Sequence, residues 1–196
     1  MSLVLDPAAQ DLLFRQAHTA HSFTDEPVTE EQVQAIYDLI KYGPTGFNQT
    51  PLRITLVRSA EARERLVPLM AEGNQAKTAT APLTAILAAD NEFHEELPRL
   101  FPAFPQAKDL FFAERPAREG SAGMNAALQA AYFILGVRAA GLAAGPMTGF
   151  DFAGVQKAFL DDDHTPLMIV NIGKPGENAA YPRSPRLAYD EVVTTI

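Results

Sequence analysis

The sequence feature that most constrains the fold is an apolar segment at residues 119–149. Between residues 121 and 140 this segment contains no proline and a single charge, Arg138. Alanine, leucine, methionine and glutamine dominate it, and these residues favour helix. Twenty helical residues would span roughly 30 Å, about the width of a small domain. Apolar side chains occupy nearly every angle of the helical wheel, so the sequence predicts a long central helix, buried in a core or between subunits and ending near Gly141.

Composition limits the classes of partner that this chain can have. Its 196 residues include 16 basic and 24 acidic side chains, which give a formal net charge of −8. This length suits a single domain at residues 1–196 with a substantial core. The negative charge argues against nucleic acid or an anionic membrane as a partner. The absence of cysteine excludes disulfides, thiolate metal sites and a cysteine nucleophile.

Neither the N-terminus nor the central apolar segment suggests secretion or membrane insertion. The N-terminus lacks a basic region followed by a long apolar run, so no signal peptide is predicted. The central apolar segment is interrupted by Gln129 and Arg138, which makes it a poor membrane span. We therefore expect a cytoplasmic protein with no membrane partner.

Helical and strand-like patterns fill most of the remaining chain. Apolar spacing, with Asp6 and Thr29 as caps, predicts helices at residues 7–20, 29–41, 61–72 and 152–160. Strands are predicted at residues 54–58, 83–89 and 167–173, and a further short strand follows the central helix.

Residues 90–118 form a less regular excursion between these elements. Four prolines punctuate the segment, and five phenylalanines make it unusually aromatic. A flexible linker would not be so apolar. We therefore predict an ordered excursion with short helices, close to the functional site.

No established catalytic motif occurs in the chain. The four histidines lie in no HExxH pattern, and there is no GxSxG, P-loop or GxGxxG after a strand. The acidic run 161–163 followed by His164 could bind a metal, but a solvated cluster at a helix end is the better interpretation, so no metal site is predicted. The lack of polar catalytic machinery favours an enzyme whose reactivity belongs to a bound cofactor.

Several polar clusters suit a cofactor that carries a phosphate and amide edges. Each cluster taken alone also fits an ordinary turn or a solvated surface. The clusters are Asn48 in a proline-bounded loop, Asn74 with Lys77 one helical turn later, the open backbone at Thr148 and Gly149, and Arg183 with Arg186.

Together and in this order, these clusters resemble the nitroreductase family of FMN flavoenzymes, over nearly the whole chain. Residues 44–51, PTGFNQTP, are similar to the family signature Pro-Ser-Ser-x-Asn-x-Gln-Pro. Residues 73–77, GNQAK, resemble its Asn-x-x-Lys element, and residues 145–151, GPMTGFD, its flavin-edge turn. Residues 186–193 are similar to its closing Arg-Lys-Pro-Leu-Glu-Glu-Val-Val tail. Details of these segments look most like the malonic semialdehyde reductases of bacterial pyrimidine breakdown.

The resemblance implies an architecture and an assembly. The fold would be an α+β sandwich, a mostly antiparallel sheet with helices on both sides. Two chains would form an intertwined homodimer with the long central helix buried at its centre. Two FMN sites would lie at the dimer interface, each built from residues of both subunits.

The resemblance also assigns roles to particular residues. Thr45, Gly46 and Asn48 would reach the flavin from the partner chain, while Asn74 and Lys77 hold its ribityl chain and ring edge. Backbone groups of Thr148 and Gly149 would face flavin N5, and Arg186, with Arg183 as a second candidate, would bind the phosphate. The family's N-terminal Arg-Arg-Ser-x-Arg-x-Phe cradle corresponds here to residues 17–23, AHTAHSF, which place His18, Thr19 and His21 where arginines are usual.

The implied activity is hydride transfer from NADH or NADPH to FMN and then to a second substrate in the same pocket. Reduction of malonic semialdehyde to 3-hydroxypropionate is the first hypothesis, and a general nitro- or quinone reductase is the second. An aldehyde acid needs a cation for its carboxylate, and Arg99, Arg115 and Arg118 in the excursion are the candidates. Two further alternatives are a flavin-binding protein without turnover and a purely structural dimer.

Overall fold

The computed structural model describes residues 3–196 of the chain. The strands are β1 (Leu52–Val57), β2 (Leu83–Asp90), β3 (Ala143–Met147) and β4 (His164–Gly173). The helices are α1 (Pro7–Gln10), α2 (Glu30–Ile40), α3 (Ala60–Leu66), α4 (Glu72–Thr80), α5 (Leu97–Leu100), α6 (Ala107–Phe111), α7 (Arg115–Ala139), α8 (Phe152–Phe159) and α9 (Tyr189–Val192).

The strands form one sheet in the order β1-β2-β4-β3, and every neighbouring pair is antiparallel. Strand β2 lies at the centre and is buried along its whole length. Because successive side chains of a strand point to opposite faces, β2 contributes to a core on each side of the sheet. Leu87 packs with Ile36 of α2 and Phe133 of α7, whereas Ile86 packs with Leu66 and Val155 from α3 and α8. The predicted α+β sandwich, an antiparallel sheet between helices, is confirmed.

Helix α7 is longer than predicted and is buried on one side only. It begins at Arg115, not at residue 121, because Pro116 occupies the first turn, where proline is tolerated. Its opposite side is open in the single chain, with Met124, Leu128 and Tyr132 exposed by 70%, 48% and 40%. The sequence predicted burial in a core or between subunits; the single chain buries one side of α7 and leaves this apolar strip uncovered.

Helices α2 and α7 pack at very short range at Gly136. A Cβ atom on Gly136 would collide with Cγ2 of Ile40 and lie 3.2 Å from Cγ2 of Ile36. Only glycine allows this approach, which places the buried face of α7 against both α2 and the sheet.

Two predicted helices are shorter than their sequence patterns indicated. The first is capped by Asp6 as predicted, but it ends at Gln10 and continues as a π-helical turn at Asp11–Arg15, so the prediction of helix to residue 20 is wrong. The second breaks at Pro68, which sits in a 3₁₀ turn at Val67–Leu69 between α3 and α4. Proline lacks the backbone N–H that a continuous helix needs there. At Thr29, the predicted cap of α2 is confirmed.

The excursion at residues 90–118 is ordered, as predicted, and carries α5 and α6. Its aromatic side chains build a third core cluster, in which Phe93, Leu97 and Phe112 pack against Ala122 and Ala126 of α7. The excursion therefore covers the N-terminal half of the central helix. Within residues 3–196, no helix has both the length and the apolar character that a bilayer crossing needs.

Candidate functional site

The loop between α2 and β1 is anchored on polar side chains of α7. The Gly46 backbone N donates to Asn125 Oδ1 at 2.7 Å, and Asn125 Nδ2 donates to the buried Gln49 at 3.2 Å. One turn further along α7, Gln129 Oε1 accepts from the Leu52 backbone N at 2.9 Å. The polar residues on the buried face of α7 therefore fix this loop in place.

The same loop contains an unusual run of left-handed backbone. Phe47, Asn48 and Thr50 have φ values of 53°, 52° and 42°, a region that β-branched and bulky residues rarely adopt. Asn48 Nδ2 donates to the Leu100 carbonyl at 2.8 Å, and the Thr50 N–H donates to Thr45 Oγ1 at 3.2 Å. The first bond holds the strained loop against the excursion, and the second closes the loop on itself. Such strain is concentrated at functional sites.

A second group of predicted residues meets where β3 leads into α8. The Gly149 carbonyl accepts from Asn74 Nδ2 at 2.9 Å and from the Ala71 N–H at 2.9 Å. A Cβ on Gly149 would lie 2.8 Å from Asn74 Nδ2, so this contact requires glycine. Thr148 is exposed beside it, and Lys77 follows Asn74 by one turn of α4.

A third group forms a polar cavity of about 280 Å³ between the N-terminal segment and the C-terminal tail, which we call the cradle. Arg183 Nη2 donates to the carbonyls of Arg15 and Ala17 at 2.8 and 2.7 Å, which ties the tail to that segment. The guanidinium of Arg186 donates only to its neighbours Ser184 and Pro185. The polar and aromatic residues lining the cavity are His18, Thr19, His21, Arg138, Tyr181, Arg183, Ser184 and Arg186.

The second and third groups lie close enough for their charges to interact. Burial lowers the pKa of His21 below its usual value, and the positive charge of Lys77 lowers this pKa further. Within the described part of the chain, His18, His21, Arg183 and Arg186 form no ion pair with a carboxylate. In a protein of net charge −8, this cradle concentrates the positive charges of Arg138, Arg183 and Arg186, and Lys77 lies near enough to act on His21.

The anchored loop lies far from this cradle within one chain. Its contact on α7 is Asn125, whereas the cradle meets α7 at Arg138. At a rise of about 1.5 Å per residue, these two positions are roughly 20 Å apart along the helix axis. A single chain therefore does not bring Thr45, Gly46 and Asn48 to the cradle.

The three candidate arginines for a substrate carboxylate have different surroundings. Arg118 is largely buried, and its guanidinium bonds Glu92 and three backbone carbonyls, an arrangement typical of a structural role. Arg115 is paired with Glu119 and Asp163. Arg99 pairs only with Glu96, has 73% of its side chain exposed, and lines a groove beside Asn48.

One group of metal-ligating side chains lies close together among residues 3–196, namely Glu92, His94 and Glu95. Cations already neutralise both carboxylates, because Arg118 pairs with Glu92 and Lys108 pairs with Glu95. The acidic run before β4 uses Asp161 to bond His164. We assign no metal to either cluster.

The model of the nitroreductase family matches residues 14–174. The chain belongs to this family. A relative from Streptomyces griseus, named "Putative NADH dehydrogenase/NAD(P)H nitroreductase", is 80% identical over the full length of both chains. The fold is similar to that of a nitroreductase family protein from Streptococcus pneumoniae, with a TM-score of 0.80 and 21% identity over 94% of this chain and 98% of that chain. The fold is also similar to that of a putative nitroreductase from Exiguobacterium sibiricum, solved in complex with FMN. For this pair the TM-score is 0.85 and the identity 20%, over 100% of this chain and 99% of that chain.

One residue of the candidate site was not identified from the sequence. In the sequence, Arg138 is recognisable only as an interruption of an otherwise apolar helix. In the structure, Arg138 lines the cradle with His18 and Arg183. The available signal was its isolation, because a lone charge in a buried helix needs a partner.

Proposed function

We propose that this member of the family is an FMN-dependent NAD(P)H oxidoreductase whose flavin lies along the surface from the cradle to Gly149. The observation that carries this proposal is the cradle itself, a polar cavity lined by arginines that form no ion pair among residues 3–196, with Lys77 near enough to His21 to lower its pKa. Unpaired cations at Arg183 and Arg186 suit a phosphate, and the contact of Asn74 with Gly149 suits a planar ligand that presents amide edges. The names of the relatives and the FMN complex of a structural neighbour support the same activity.

The residues present fit FMN on chemical grounds. A phosphate group carries close to two negative charges near neutral pH, and guanidinium groups bind such anions with paired N–H donors. The cradle offers these donors with no competing carboxylate in an ion pair. Arg186 would bind the phosphate with Arg183, while Thr19 and the two histidines line the same cavity.

Bound FMN supplies the hydride-transfer chemistry that no side chain of this protein provides. The protein then contributes position and polarity, not a nucleophile. Asn74 holds the Gly149 carbonyl in place, so the backbone at Thr148 and Gly149 presents a fixed edge to the ligand. Lys77, at the end of this edge, places a positive charge beside it. NAD(P)H and the acceptor would occupy one pocket in turn, which predicts ping-pong kinetics.

We propose that the complete site requires two chains. Thr45, Gly46 and Asn48 lie on the strained loop, far from the cradle of their own chain. The exposed apolar strip of α7, with Met124 and Leu128, would pack against a second copy in a homodimer. The loop of one subunit would then reach the flavin of the other.

Nitro compounds and quinones are the best-supported class of acceptor, which makes the protein a general nitro- or quinone reductase. The relatives carry the nitroreductase name over the full length of the chain. The open, mixed polar and apolar groove beside Asn48 suits planar acceptors without demanding a charged group.

Malonic semialdehyde reduction to 3-hydroxypropionate is the second candidate. Arg99 favours it, because this guanidinium is exposed, lies beside Asn48 and has only one carboxylate partner. Arg115 and Arg118 are held by several protein groups each and are weaker candidates.

Acceptor profiling tests the two candidates. Steady-state rates with malonic semialdehyde, a nitrofuran and a quinone are compared for the wild type and Arg99→Ala. If the aldehyde acid is the substrate, Arg99→Ala raises its KM by about tenfold or more, the loss of one charge-assisted hydrogen bond, and leaves the quinone unaffected. Equal effects on both acceptors would reject a carboxylate contact. Bound flavin that NAD(P)H never reduces would instead identify a flavin-binding protein without turnover.

A further inference from the structure

Arg138 occupies an unusual position for a charged residue. It projects from the last turns of α7, the central helix, and lines the cradle together with His18, Arg183 and Arg186. Nη1 donates to the Leu13 carbonyl at 3.2 Å. The Nε atom is buried and has no hydrogen-bond partner.

The charge of Arg138 is also unbalanced. Among residues 3–196 it forms no ion pair with a carboxylate, whereas the half-buried Arg53 pairs with Asp90 at 2.5 Å. Burial lowers the pKa of Arg138, and the positive charge of Arg183 lowers this pKa further. Two guanidinium groups thus repel one another in a partly desolvated cavity, which is unfavourable unless an anion lies between them.

We propose that Arg138 is an anion-binding residue, which compensates in this chain for the arginines that are missing at His18 and His21. Its ligand is a phosphate monoester, and on the proposed function, on which this identification rests, that ester is the phosphate of FMN. A phosphate dianion would cancel the repulsion between Arg138 and Arg183.

The position of Arg138 in the central helix restricts the motion of its guanidinium. A helix anchored in the core holds a guanidinium more rigidly than the N-terminal segment does, since that segment lacks regular structure at residues 17–20. A preorganised donor loses less conformational entropy on binding. Arg138 would therefore give the cradle a fixed cation, around which the tail arginines Arg183 and Arg186 close.

The test compares FMN with riboflavin, which lacks the phosphate. Dissociation constants are measured by quenching of flavin fluorescence for the wild type, Arg138→Gln and Arg138→Lys. Loss of one charge-assisted hydrogen bond predicts that Arg138→Gln weakens FMN binding by about ten- to a hundredfold, with little change for riboflavin. Arg138→Lys keeps the charge and is expected to lie between the two.

Arg63→Gln is the matched control. Burial lowers the pKa of Arg63 too, and its guanidinium donates to the carbonyls of Thr78 and Pro82, away from the cradle. This variant should bind both flavins as the wild type does. Thermal melting of each ligand-free protein confirms that the variants are folded.

A second measurement uses inorganic phosphate alone and needs no flavin. Phosphate should raise the melting temperature of the wild type and of Arg63→Gln more than that of Arg138→Gln. Equal weakening of FMN and riboflavin by Arg138→Gln, or unchanged FMN binding, would overturn the proposal. If the wild type binds no flavin, the proposed function fails, and the phosphate shift alone then decides whether Arg138 binds an anion.

Discussion

At the scale of single residues, the site is defined by unusual backbone and by charges without partners. Asn48 illustrates the first, since it combines a left-handed backbone with a hydrogen bond to the Leu100 carbonyl. Its position in a proline-bounded loop could be predicted from the sequence. Its bond to the excursion could not, because that contact joins segments about fifty residues apart.

Two substitutions separate the contact of Asn48 from its conformation. Both Asn48→Ala and Asn48→Gly lose the bond to Leu100, but only alanine is strained at a positive φ. We expect Asn48→Ala to be less stable than Asn48→Gly by about 1 kcal/mol, measured by urea unfolding. Equal stabilities would show that the left-handed backbone of this loop relaxes freely.

The histidines of the cradle predict a pH dependence of FMN binding. In the ligand-free protein, burial and Lys77 lower the pKa of His21, so the ring is neutral near pH 7. A bound phosphate favours the imidazolium and raises this pKa. Binding therefore takes up a proton, and affinity is greatest below the ligand-free pKa and falls as pH rises through the bound-state pKa.

His21→Arg tests this assignment because arginine remains charged at every pH used. Titration of FMN dissociation constants between about pH 5.5 and 8.5, on either side of an ordinary histidine pKa, should show a smaller alkaline loss for His21→Arg than for the wild type. The FMN phosphate gains a proton near about pH 6, but this affects both proteins equally. Parallel curves for the wild type, His18→Arg and His21→Arg would show that Arg138, Arg183 and Arg186 hold the phosphate without the histidines.

At the scale of secondary structure, periodicity predicted the existence of elements better than their ends. The continuous apolar run of β2 and the capped start of α2 were sufficient for correct assignment. The start of α7 at Arg115 was missed because Pro116 usually signals a break, whereas in a first turn it is compatible with helix. The uncovered strip of α7 could not be predicted, because composition does not show which side of a helix a single chain buries.

The packing of α2 on α7 depends on Gly136. We expect Gly136→Ala to destabilise the protein by about 1–3 kcal/mol, the usual effect of overpacking a core, because Ile40 would have to move. Gly120→Ala in the same helix is the control, since its added methyl would meet nothing within 4 Å. The free energy of unfolding of Gly120→Ala should exceed that of the wild type by about 0.5–1 kcal/mol. Chemical denaturation that shows similar values for both would contradict the close packing.

The excursion depends on Arg118, which joins α7 to Glu92 and to three backbone carbonyls. Arg118→Met keeps the apolar stem but leaves buried acceptors without a donor, so we expect a loss of about 1–3 kcal/mol. Arg99→Met, at an exposed position, should change stability by no more than about 0.5 kcal/mol. If thermal unfolding shows the same loss of stability for Arg118→Met and Arg99→Met, the structural role of Arg118 is excluded.

At the scale of the whole molecule, the arrangement of the sites favours a dimer. The strained loop and the cradle meet α7 at positions roughly 20 Å apart, and exposed tyrosines, Tyr37 of α2 and Tyr42 just after it, add to the uncovered apolar surface of the α7 strip. The fold could be predicted from the sequence through ordered motifs. The spatial separation of those motifs within one chain could not, because it depends on the length and direction of α7.

Light scattering combined with visible absorbance tests the shared site. We expect a mass of two chains and one FMN per chain. Loss of flavin should accompany any charged substitution that dissociates the dimer, such as Leu128→Glu on the exposed strip of α7, while Leu110→Glu, exposed on α6, serves as the surface control. A monomer that retains FMN would contradict the contribution of Thr45, Gly46 and Asn48 from a second chain.

The most direct test of the central claim is anaerobic addition of NADH or NADPH to the purified protein reconstituted with FMN. The protein should bind the flavin, lose its visible flavin absorbance on addition of the nicotinamide, and regain it when a nitroaromatic or quinone is added. A protein that takes up no FMN, or whose bound flavin keeps its absorbance with both nicotinamides, would contradict the assignment as an FMN-dependent NAD(P)H oxidoreductase.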